Sequence, residues 1–395
     1  MNSETYIAIL GRQPLLGVAE LERLYTAKAV TPLGESAALV QTDAPIDIDL
    51  LGGSVKIARV VERTNSNGWV GVSKQAVTYL TQELAGHVGK ITLGVSAYGF
   101  DIGAREVQKT GIIVKMRLKK TGGSLRLIPN TDTALSSAQV FHNKLAGGVT
   151  KRELILVGGT DGHGYLAETM GVQDIDAYTL RDRSRPKRDA LNGMLPPKLA
   201  QIMINLAVGT PVSQPLVLDP FCGTGVVLQE ALLMSYAVSG SDLNPKMPAY
   251  TRENLEWLHQ RLGTPSAQSI IQADATTFQW REAKTFTAVV SETYLGEPMA
   301  QAPDAVKLEK VMARCETVIR GFLTNIASQL ESGTSLCIAV PAWRIGDTTK
   351  HLPVVDDLSD LGYNWIDFEH VGRPDLLYYR EDQVVARELL VISKK

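Results

Sequence analysis

In the C-terminal half of this sequence, three carboxylates each lie at the end of a short apolar segment, and a glycine loop follows the first of them. Asp219 ends the run PLVLD and is followed by PFCGTG, Asp242 ends AVSGSD, and Asp274 follows SIIQ. Because the carboxyl ends of parallel strands meet at one edge of a sheet, these acids are expected to lie together. Acids placed in this way attract a cation or accept hydrogen bonds from hydroxyl and amino groups.

The loop after Asp219 predicts a site where backbone approaches a ligand. Phe221 opens the loop, and Gly223 and Gly225 lie where a strand turns into a helix. Asp219 would repel a pyrophosphate and attract an ammonium or sulfonium group. The third glycine of a dinucleotide fingerprint is replaced by Leu228. A dinucleotide therefore fits poorly, whereas a cationic nucleoside fits well.

The two later acids complete the predicted ligand. Asp242 closes the next strand, where a carboxylate can accept from both hydroxyls of a ribose. Asp274 is placed to accept from an adenine amino group, and Ala275 offers its backbone amide to the ring. Together these residues indicate an adenosine that carries a positively charged methionyl tail.

Alternation of strands and helices predicts the fold around these residues. From Leu195 onward strand and helix patterns alternate, which is typical of an α/β domain with a doubly wound, mostly parallel sheet. A smaller α+β region precedes it, and we divide the chain into an α/β segment (1–50), a mixed domain (51–170), a basic linker (171–193) and the C-terminal domain (194–395). Within the mixed domain, GIIVKMRL is a strand candidate.

Composition excludes several classes of protein. The 395 residues carry a formal charge of −2, and no apolar run is long enough to span a membrane. The three cysteines are isolated, so we expect neither a disulfide framework nor a metal site. The N-terminal residues show no basic segment followed by an apolar one, so a cytoplasmic location is expected.

Several longer motifs resemble a known family. LDPFCGTG, SDLNP and QADA are similar to the cofactor motifs of class I S-adenosylmethionine-dependent methyltransferases. The segments VQDIDAYTLRDRSRPKRDALNGMLPPKLAQIMINLA and LLYYREDQVVARELLVI resemble the THUMP-associated tRNA guanosine-N2 methyltransferases. The resemblance implies S-adenosylmethionine as cofactor, tRNA as partner, a ferredoxin-like segment at 1–50 and a THUMP-like RNA-binding domain at 51–170.

The segment after the fourth strand departs from that family. Amine methyltransferases of this kind carry D/N-P-P-Y/F, in which the acid or amide accepts from the target amine and the aromatic ring stacks on the base; here the strand ends in VVSETYLGEP. Aligned on the glycine, Glu292 takes the acid position and Tyr294 replaces a proline. Aligned on the aromatic residue, Ser291 takes the acid position and Tyr294 stacks. We favour the first alignment, because a carboxylate is the better acceptor, and predict Glu292, Tyr294 and Ser291 as catalytic residues.

Two basic stretches are candidate phosphate contacts. The first contains Lys115, Arg117, Lys119, Lys120 and Arg126, and the second contains Arg181, Arg183, Arg185, Lys187 and Arg188. Alternation along the first would place Lys115, Arg117 and Lys119 on one face of a strand. Either stretch could instead be an ordinary solvated surface.

These observations favour an S-adenosylmethionine-dependent RNA methyltransferase, acting on tRNA at the exocyclic N2 of guanosine. Two alternatives stay open. One is a non-catalytic tRNA-binding protein or complex subunit that retains the fold, which the sequence SETYLG motivates. The other is a methyltransferase for a protein amide or a small molecule. The sequence leaves the modified position, the need for an activating subunit and the oligomeric state undetermined.

Overall fold

The computed structural model describes residues 4–188, 194–210, 213–267, 269–281, 283–297, 299, 303–346 and 348–395. The chain divides into two compact units, Met1–Ala177 and Tyr178–Lys395. The basic linker predicted at 171–193 spans this division, and its residues 189–193 lie outside the described part of the chain.

The first unit is built on a single mixed sheet with helices packed on it. Its strands are β1 (Glu4–Leu10), β2 (Val30–Pro32), β3 (Ala37–Thr42), β4 (Ser54–Thr64), β5 (Lys90–Tyr98), β6 (Ser124–Leu127), β7 (Lys151–Gly158) and β8 (Gly164–Val172). Its helices are α1 (Pro14–Tyr25), α2 (Trp69–Glu83), α3 (Ala104–Lys120) and α4 (Ser137–Asn143), and α5 (Ile175–Arg183) crosses into the second unit.

The strand order in this sheet is β2-β3-β1-β4-β8-β7-β5-β6. The long strand β4 is antiparallel to both β1 and β8, so the predicted segments 1–50 and 51–170 contribute strands to one sheet. Buried apolar residues of β5, β7, α2 and α3 pack into one core cluster on this sheet.

The structure corrects the prediction for the segment GIIVKMRL, which is part of helix α3 rather than a strand. The helix buries Val107, Gly111, Val114 and Leu118, whose spacing of four, three and four residues follows the helical period. Consequently Lys115, Arg117 and Lys119 lie on the exposed surface of a helix and not on one face of a strand.

The second unit contains the alternating pattern predicted from Leu195 onward. Its strands are β9 (Leu216–Asp219), β10 (Ala237–Asp242), β11 (Ser269–Gln272), β12 (Ala288–Glu292), β13 (Ser335–Ile345), β14 (Thr348–Lys350), β15 (Tyr363–Trp365), β16 (Leu377–Tyr378) and β17 (Val385–Lys394). Its helices are α6 (Pro197–Val208), α7 (Val226–Leu233), α8 (Lys246–Leu262) and α9 (Ala305–Ala327).

The main sheet of this unit has the order β11-β10-β9-β12-β13-β17-β15. The five strands from β11 to β13 in this order are parallel to one another, and β17 is antiparallel to β13. The prediction of a doubly wound, mostly parallel sheet is therefore confirmed. The strand order reverses beside β9, between β10 and β12, which is where open α/β sheets bind their ligands.

The longest helix of this unit closes one face of the sheet. Helix α9 begins after Asp304, whose side chain accepts a hydrogen bond from the backbone N–H of Lys307 at 2.8 Å. Its buried residues Cys315, Ile319 and Phe322 recur at helical spacing and join the core cluster of the sheet. In the described part of the chain, no helix combines the length and apolarity that crossing a bilayer requires.

Candidate functional site

The loop between β9 and α7 depends on two glycines with left-handed backbone. Gly223 has a φ of +51° and Gly225 a φ of +86°, a region that other residues rarely adopt. A Cβ atom on Gly225 would also lie 2.9 Å from the Cγ2 atom of Thr251 on α8. These constraints bring the start of α7 close to the strand ends, as the sequence predicted for this loop.

Asp219 lies at the carboxyl end of β9 and is 2% exposed. Its Oδ1 atom accepts from the hydroxyl of Ser291 at 2.6 Å and from the backbone N–H of Phe221 at 3.2 Å. Burial raises the pKa of Asp219 to about 7, and the nearby carboxylates of Asp242 and Glu292 act in the same direction. A cationic ligand beside Asp219 would favour its ionised form.

Asp242 braces the glycine loop from the neighbouring strand. Its Oδ2 atom accepts from the backbone N–H of Gly223 at 3.0 Å, and its Oδ1 atom accepts from that of Asn244 at 2.8 Å. Burial raises the pKa of Asp242, although both hydrogen bonds oppose the change. A carboxylate oxygen can accept more than one hydrogen bond, so this bracing leaves room for ligand hydroxyls.

Asp274 and Ala275 lie beyond the end of β11, beside this loop. Asp274 accepts from the backbone N–H and the hydroxyl of Thr276, at 2.9 Å and 2.7 Å, and these bonds lower its pKa. Both residues line a cavity of about 390 Å³ that also contacts Phe221 and Leu243. The third predicted acid is thus adjacent to the other two.

A larger cavity of about 570 Å³ adjoins this space and shares residues Phe221 and Leu243 with it. The predicted residues that line it are Asp219, Phe221, Gly223, Asp242, Glu292 and Tyr294. The other residues that line it are Met194, Leu195, Cys222, Thr224, Val226, Val227, Leu243, Asn244, Met247, Thr293, Leu295, Gly296, Arg314 and Val318.

Ser291 and Glu292 are the last two residues of strand β12, and successive side chains on a strand point to opposite faces of the sheet. Ser291 is fully buried and donates to Asp219, whereas Glu292 lines the larger cavity. This placement favours the alignment that gives the acid position to Glu292. Ser291 does not line the larger cavity, and its catalytic role stays a prediction.

Two arginines that contact the predicted residues Glu292 and Tyr294 were not predicted. Arg387 on β17 donates from Nε to the Oε1 atom of Glu292, and only 9% of its side chain is exposed. Arg314 on α9 lies with its guanidinium carbon 5.3 Å from the ring centroid of Tyr294. Arg387 is 95 residues away from Glu292 in the sequence, so no local motif could have paired them.

The composition of the wall suits an organic cation better than an anion. Three carboxylates, from Asp219, Asp242 and Glu292, line the larger cavity, whereas Arg314 is its one basic lining residue among the described ones. The described residues contain no group of three or more histidines, cysteines or acids arranged to hold a metal ion. Aromatic and aliphatic residues on the adjoining cavity suit a purine ring.

The basic stretch 181–188 mostly contacts protein. Arg181 donates to Glu230 on α7 at 2.9 Å and is 8% exposed, and Arg185 is 3% exposed. Burial of these two side chains within the second unit argues against the predicted phosphate contact for Arg181 and Arg185. Arg183 and Arg188 are exposed.

Comparison with known proteins agrees with this geometry. Residues 185–336 match the family UPF0020, described as an RMKL-like methyltransferase domain. The tRNA (guanine(10)-N2)-dimethyltransferase of Methanothermobacter thermautotrophicus is 34% identical over 149 residues, which is 38% of this chain and 39% of that protein. The enzyme of the same name from Methanocaldococcus jannaschii is 35% identical over 92 residues, 23% of this chain and 25% of that protein. The aligned region thus spans well under half of each relative.

Solved structures extend the likeness to the whole chain. TrmN from Thermus thermophilus has a TM-score of 0.51 at 15% identity, covering 99% of this chain and all of that one. A protein described as a possible methylase from Clostridium difficile 630 has a TM-score of 0.50 at 12% identity, covering 100% and 99%.

Residues 185–336 therefore match an RMKL-like methyltransferase domain, and the fold of the chain is similar to that of TrmN. The resemblance to the tRNA guanosine-N2 methyltransferases is confirmed by the two archaeal relatives, over 149 and 92 residues of this chain.

Proposed function

We propose that this chain is an S-adenosylmethionine-dependent methyltransferase that acts on tRNA, at the exocyclic N2 of guanosine. The observation that carries the proposal is the cavity lined by Asp219, Asp242 and Glu292 beside a glycine loop, within a methyltransferase domain. The names of the two archaeal relatives support the choice of guanosine and tRNA.

The cofactor would be held by the residues at the carboxyl ends of β9, β10 and β11. Asp219 and Gly223, in the loop that Gly225 ends, would face the charged methionyl tail, Asp242 would accept from the ribose, and Asp274 with Ala275 would lie against the adenine. When bound, the cofactor supplies a methyl group made electrophilic by a sulfonium.

The acceptor would lie against Glu292 and Tyr294. The lone pair of an exocyclic base amine is delocalised into the ring, so an acceptor for its N–H bonds makes the nitrogen a better nucleophile. Glu292 supplies a carboxylate oxygen for this role, and the amine loses a proton as it gains the methyl group. The half-buried ring of Tyr294, at the cavity wall, offers a surface on which a flipped base can stack.

Helix α3 of the first unit supports RNA as the class of acceptor. Its exposed residues include the cations Arg105, Lys109, Lys115, Arg117, Lys119 and Lys120. In the described part of the chain, the one ion pair on this helix joins Lys109 to Glu106 at 3.9 Å. Unneutralised cations along a helix face attract a phosphate backbone. We propose that this unit is the THUMP-like, RNA-binding part, and that the reaction takes place in the cytoplasm.

The test is transfer of a labelled methyl group to unmodified tRNA transcripts, followed by nucleoside analysis, with Asp219→Ala as the blank. We expect labelled N2-methylguanosine with the wild-type chain and none with the variant. Label in another nucleoside would keep the enzyme and change its target. Label only in protein or small molecules would replace RNA as acceptor. Binding of tRNA and cofactor without label, even after addition of cell extract to supply a subunit, would identify a non-catalytic protein.

A further inference from the structure

Glu292 and Arg387 meet across a central strand of the sheet. In the ladder, Glu292 of β12 is opposite Ala339 of β13, and Arg387 of β17 is opposite Pro341. Ala339 and Pro341 are two residues apart, so their side chains lie on the same face of the sheet. Glu292 and Arg387 therefore emerge on that face, on either side of β13, and their side chains join above it.

The contact uses one oxygen of the carboxylate. Arg387 donates to Oε1, and no described residue donates a hydrogen bond to Oε2. The two side chains are 18% and 9% exposed, and Glu292 lines the larger cavity. One oxygen is thus held by the protein, and the other is left for a ligand.

The stability of the fold does not explain why the largely buried ion pair between Glu292 and Arg387 is present. Burying two charges costs free energy that their attraction often fails to recover, so buried pairs add little net stability. The segment SETYLG, which follows directly, contains no proline to stiffen its backbone. A guanidinium is planar and presents its donors in a fixed geometry, so it can fix the carboxylate instead.

We propose that Arg387 is a positioning residue for Glu292: its guanidinium holds one carboxylate oxygen and leaves the other to accept from the incoming amine. The inference rests on the proposed function for the identity of that amine. It assigns Arg387, which does not itself line the larger cavity, to the methyl-transfer step.

The positive charge of Arg387 favours the ionised form of Glu292. Burial raises the pKa of Glu292, and the charge and hydrogen bond of Arg387 oppose that rise. The charge of Glu292 raises the pKa of Asp219 on β9, so the two carboxylates repel each other when both are ionised. The ring of Tyr378 on β16 also lies near Arg387, with its centroid 6.0 Å from the guanidinium. Removing Arg387 would therefore favour the protonated form of Glu292, which is a weaker acceptor than the carboxylate.

The first arm of the test is a cycle of Glu292→Gln, Arg387→Gln and the double variant, assayed at saturating tRNA and cofactor. We expect Arg387→Gln to lower kcat at least tenfold with the cofactor Kd unchanged. Arg387→Lys should restore part of kcat, because it returns the charge without the planar geometry. The double variant should be no slower than Glu292→Gln. Wild-type kcat in Arg387→Gln, or additive losses in the double variant, would overturn the proposal.

The matched control is Glu388→Gln, one residue further along β17. Glu388 lies on the opposite face of the sheet and pairs with His351 at 2.8 Å. We expect its loss to leave kcat unchanged. A loss equal to that of Arg387→Gln would assign both effects to the integrity of β17, against the proposal.

The second arm needs no turnover. The carboxyl carbon of Glu292 is followed by carbon-13 NMR during a pH titration, and its signal is assigned by its disappearance in Glu292→Gln. We expect the Arg387→Gln variant to shift the midpoint upward by about one pH unit or more. An unchanged midpoint would contradict the proposal. A shifted midpoint in a chain that does not methylate tRNA would retain the pairing and reject the proposed function alone.

Discussion

The ionisation of Asp219 offers a direct physical test of the chemistry of the site. It is buried, and among the described residues its hydrogen-bond donors are a hydroxyl and a backbone amide rather than a cation. A buried carboxylate without a counter-ion is unfavourable when ionised. The free protein therefore carries a local cost at neutral pH that a cationic ligand can remove.

This cost predicts how stability depends on pH. The pKa of Asp219 is raised to about 7 in the folded chain, against an ordinary value of 3.8. The folded state thus holds this proton more tightly than the unfolded state. The contribution to stability is fully present below about pH 4 and is lost as the pH rises through about 7.

Substituting Asp219 by Asn should therefore raise the unfolding midpoint at pH 8 and leave it unchanged near pH 4. The expected gain at pH 8 is roughly 2 kcal/mol or more, with cofactor affinity falling at least tenfold. Thermal unfolding across the pH range and calorimetric titration measure the two effects. Asp274→Asn is the control, because hydrogen bonds lower the pKa of Asp274 and its loss should give no gain at pH 8. Equal midpoints for Asp219→Asn and wild type at pH 8 would contradict the argument.

Individual residues of the site differ in whether the sequence alone could predict them. Asp219, Asp242 and Asp274 each follow a short apolar run, and the topology of parallel strands places such residues together. Arg387 and Arg314 follow no comparable rule, because their positions depend on how β17 and α9 pack against β12. Residues from the local loop were predictable, whereas those brought in by long-range packing were not.

At the scale of elements, α3 shows how local preference can mislead. Ile112, Ile113 and Val114 form a β-branched run that favours a strand. Burial decides otherwise, since Val114 packs in the core while Ile112 and Ile113 are 42% and 44% exposed. The local sequence does not show which of these three apolar residues is buried, because burial depends on the elements of the unit that pack against α3.

Helix α5 shows a second effect of packing, because it ties the basic stretch to the helix that starts at the glycine loop. Arg181 of α5 donates to Glu230 of α7, whose Oε2 atom is buried without a hydrogen-bond partner. The guanidinium of Arg181 also lies 4.2 Å from the ring centroid of Tyr178. This arrangement assigns Arg181 to stability and not to RNA contact.

Arg181→Met should consequently destabilise the chain by about 3 to 5 kcal/mol, because it leaves Glu230 buried without its cation. The exposed Arg183, two residues further along α5, offers a matched variant, and Arg183→Met should unfold with the wild-type midpoint. Thermal or denaturant unfolding compares the three proteins. If Arg181→Met unfolds like the wild type and instead weakens tRNA binding, Arg181 is a phosphate contact after all.

At the scale of the whole molecule, a net charge of −2 conceals an uneven distribution. The cavity of the second unit is lined by acids, and α3 of the first unit exposes cations with apolar residues between them, including Met116 at 59% exposure. Whole-chain charge therefore gave no indication of a polyanion partner. The division of labour that we propose, cofactor on one unit and RNA on the other, can be tested without separating the units.

Removing two charges from α3 should weaken tRNA binding in a way that depends on salt. Lys115 and Lys119 are one helical turn apart and both exposed, so Lys115→Gln with Lys119→Gln removes two neighbouring cations. Each lost phosphate contact lowers the slope of log affinity against log salt by about 0.7 to 0.9. The double variant should therefore lose roughly 1.5 from that slope and bind the cofactor as the wild type does.

The comparison that decides this is with a second double variant, Lys28→Gln with Lys151→Gln, which removes the same charge from exposed sites elsewhere in the first unit. Filter binding of an unmodified tRNA transcript at four or more salt concentrations gives both slopes. A control variant that loses as much slope as the α3 variant would reduce the effect to net charge. A wild-type slope in the α3 variant would remove α3 from the RNA surface and leave the acceptor to be sought through the second unit.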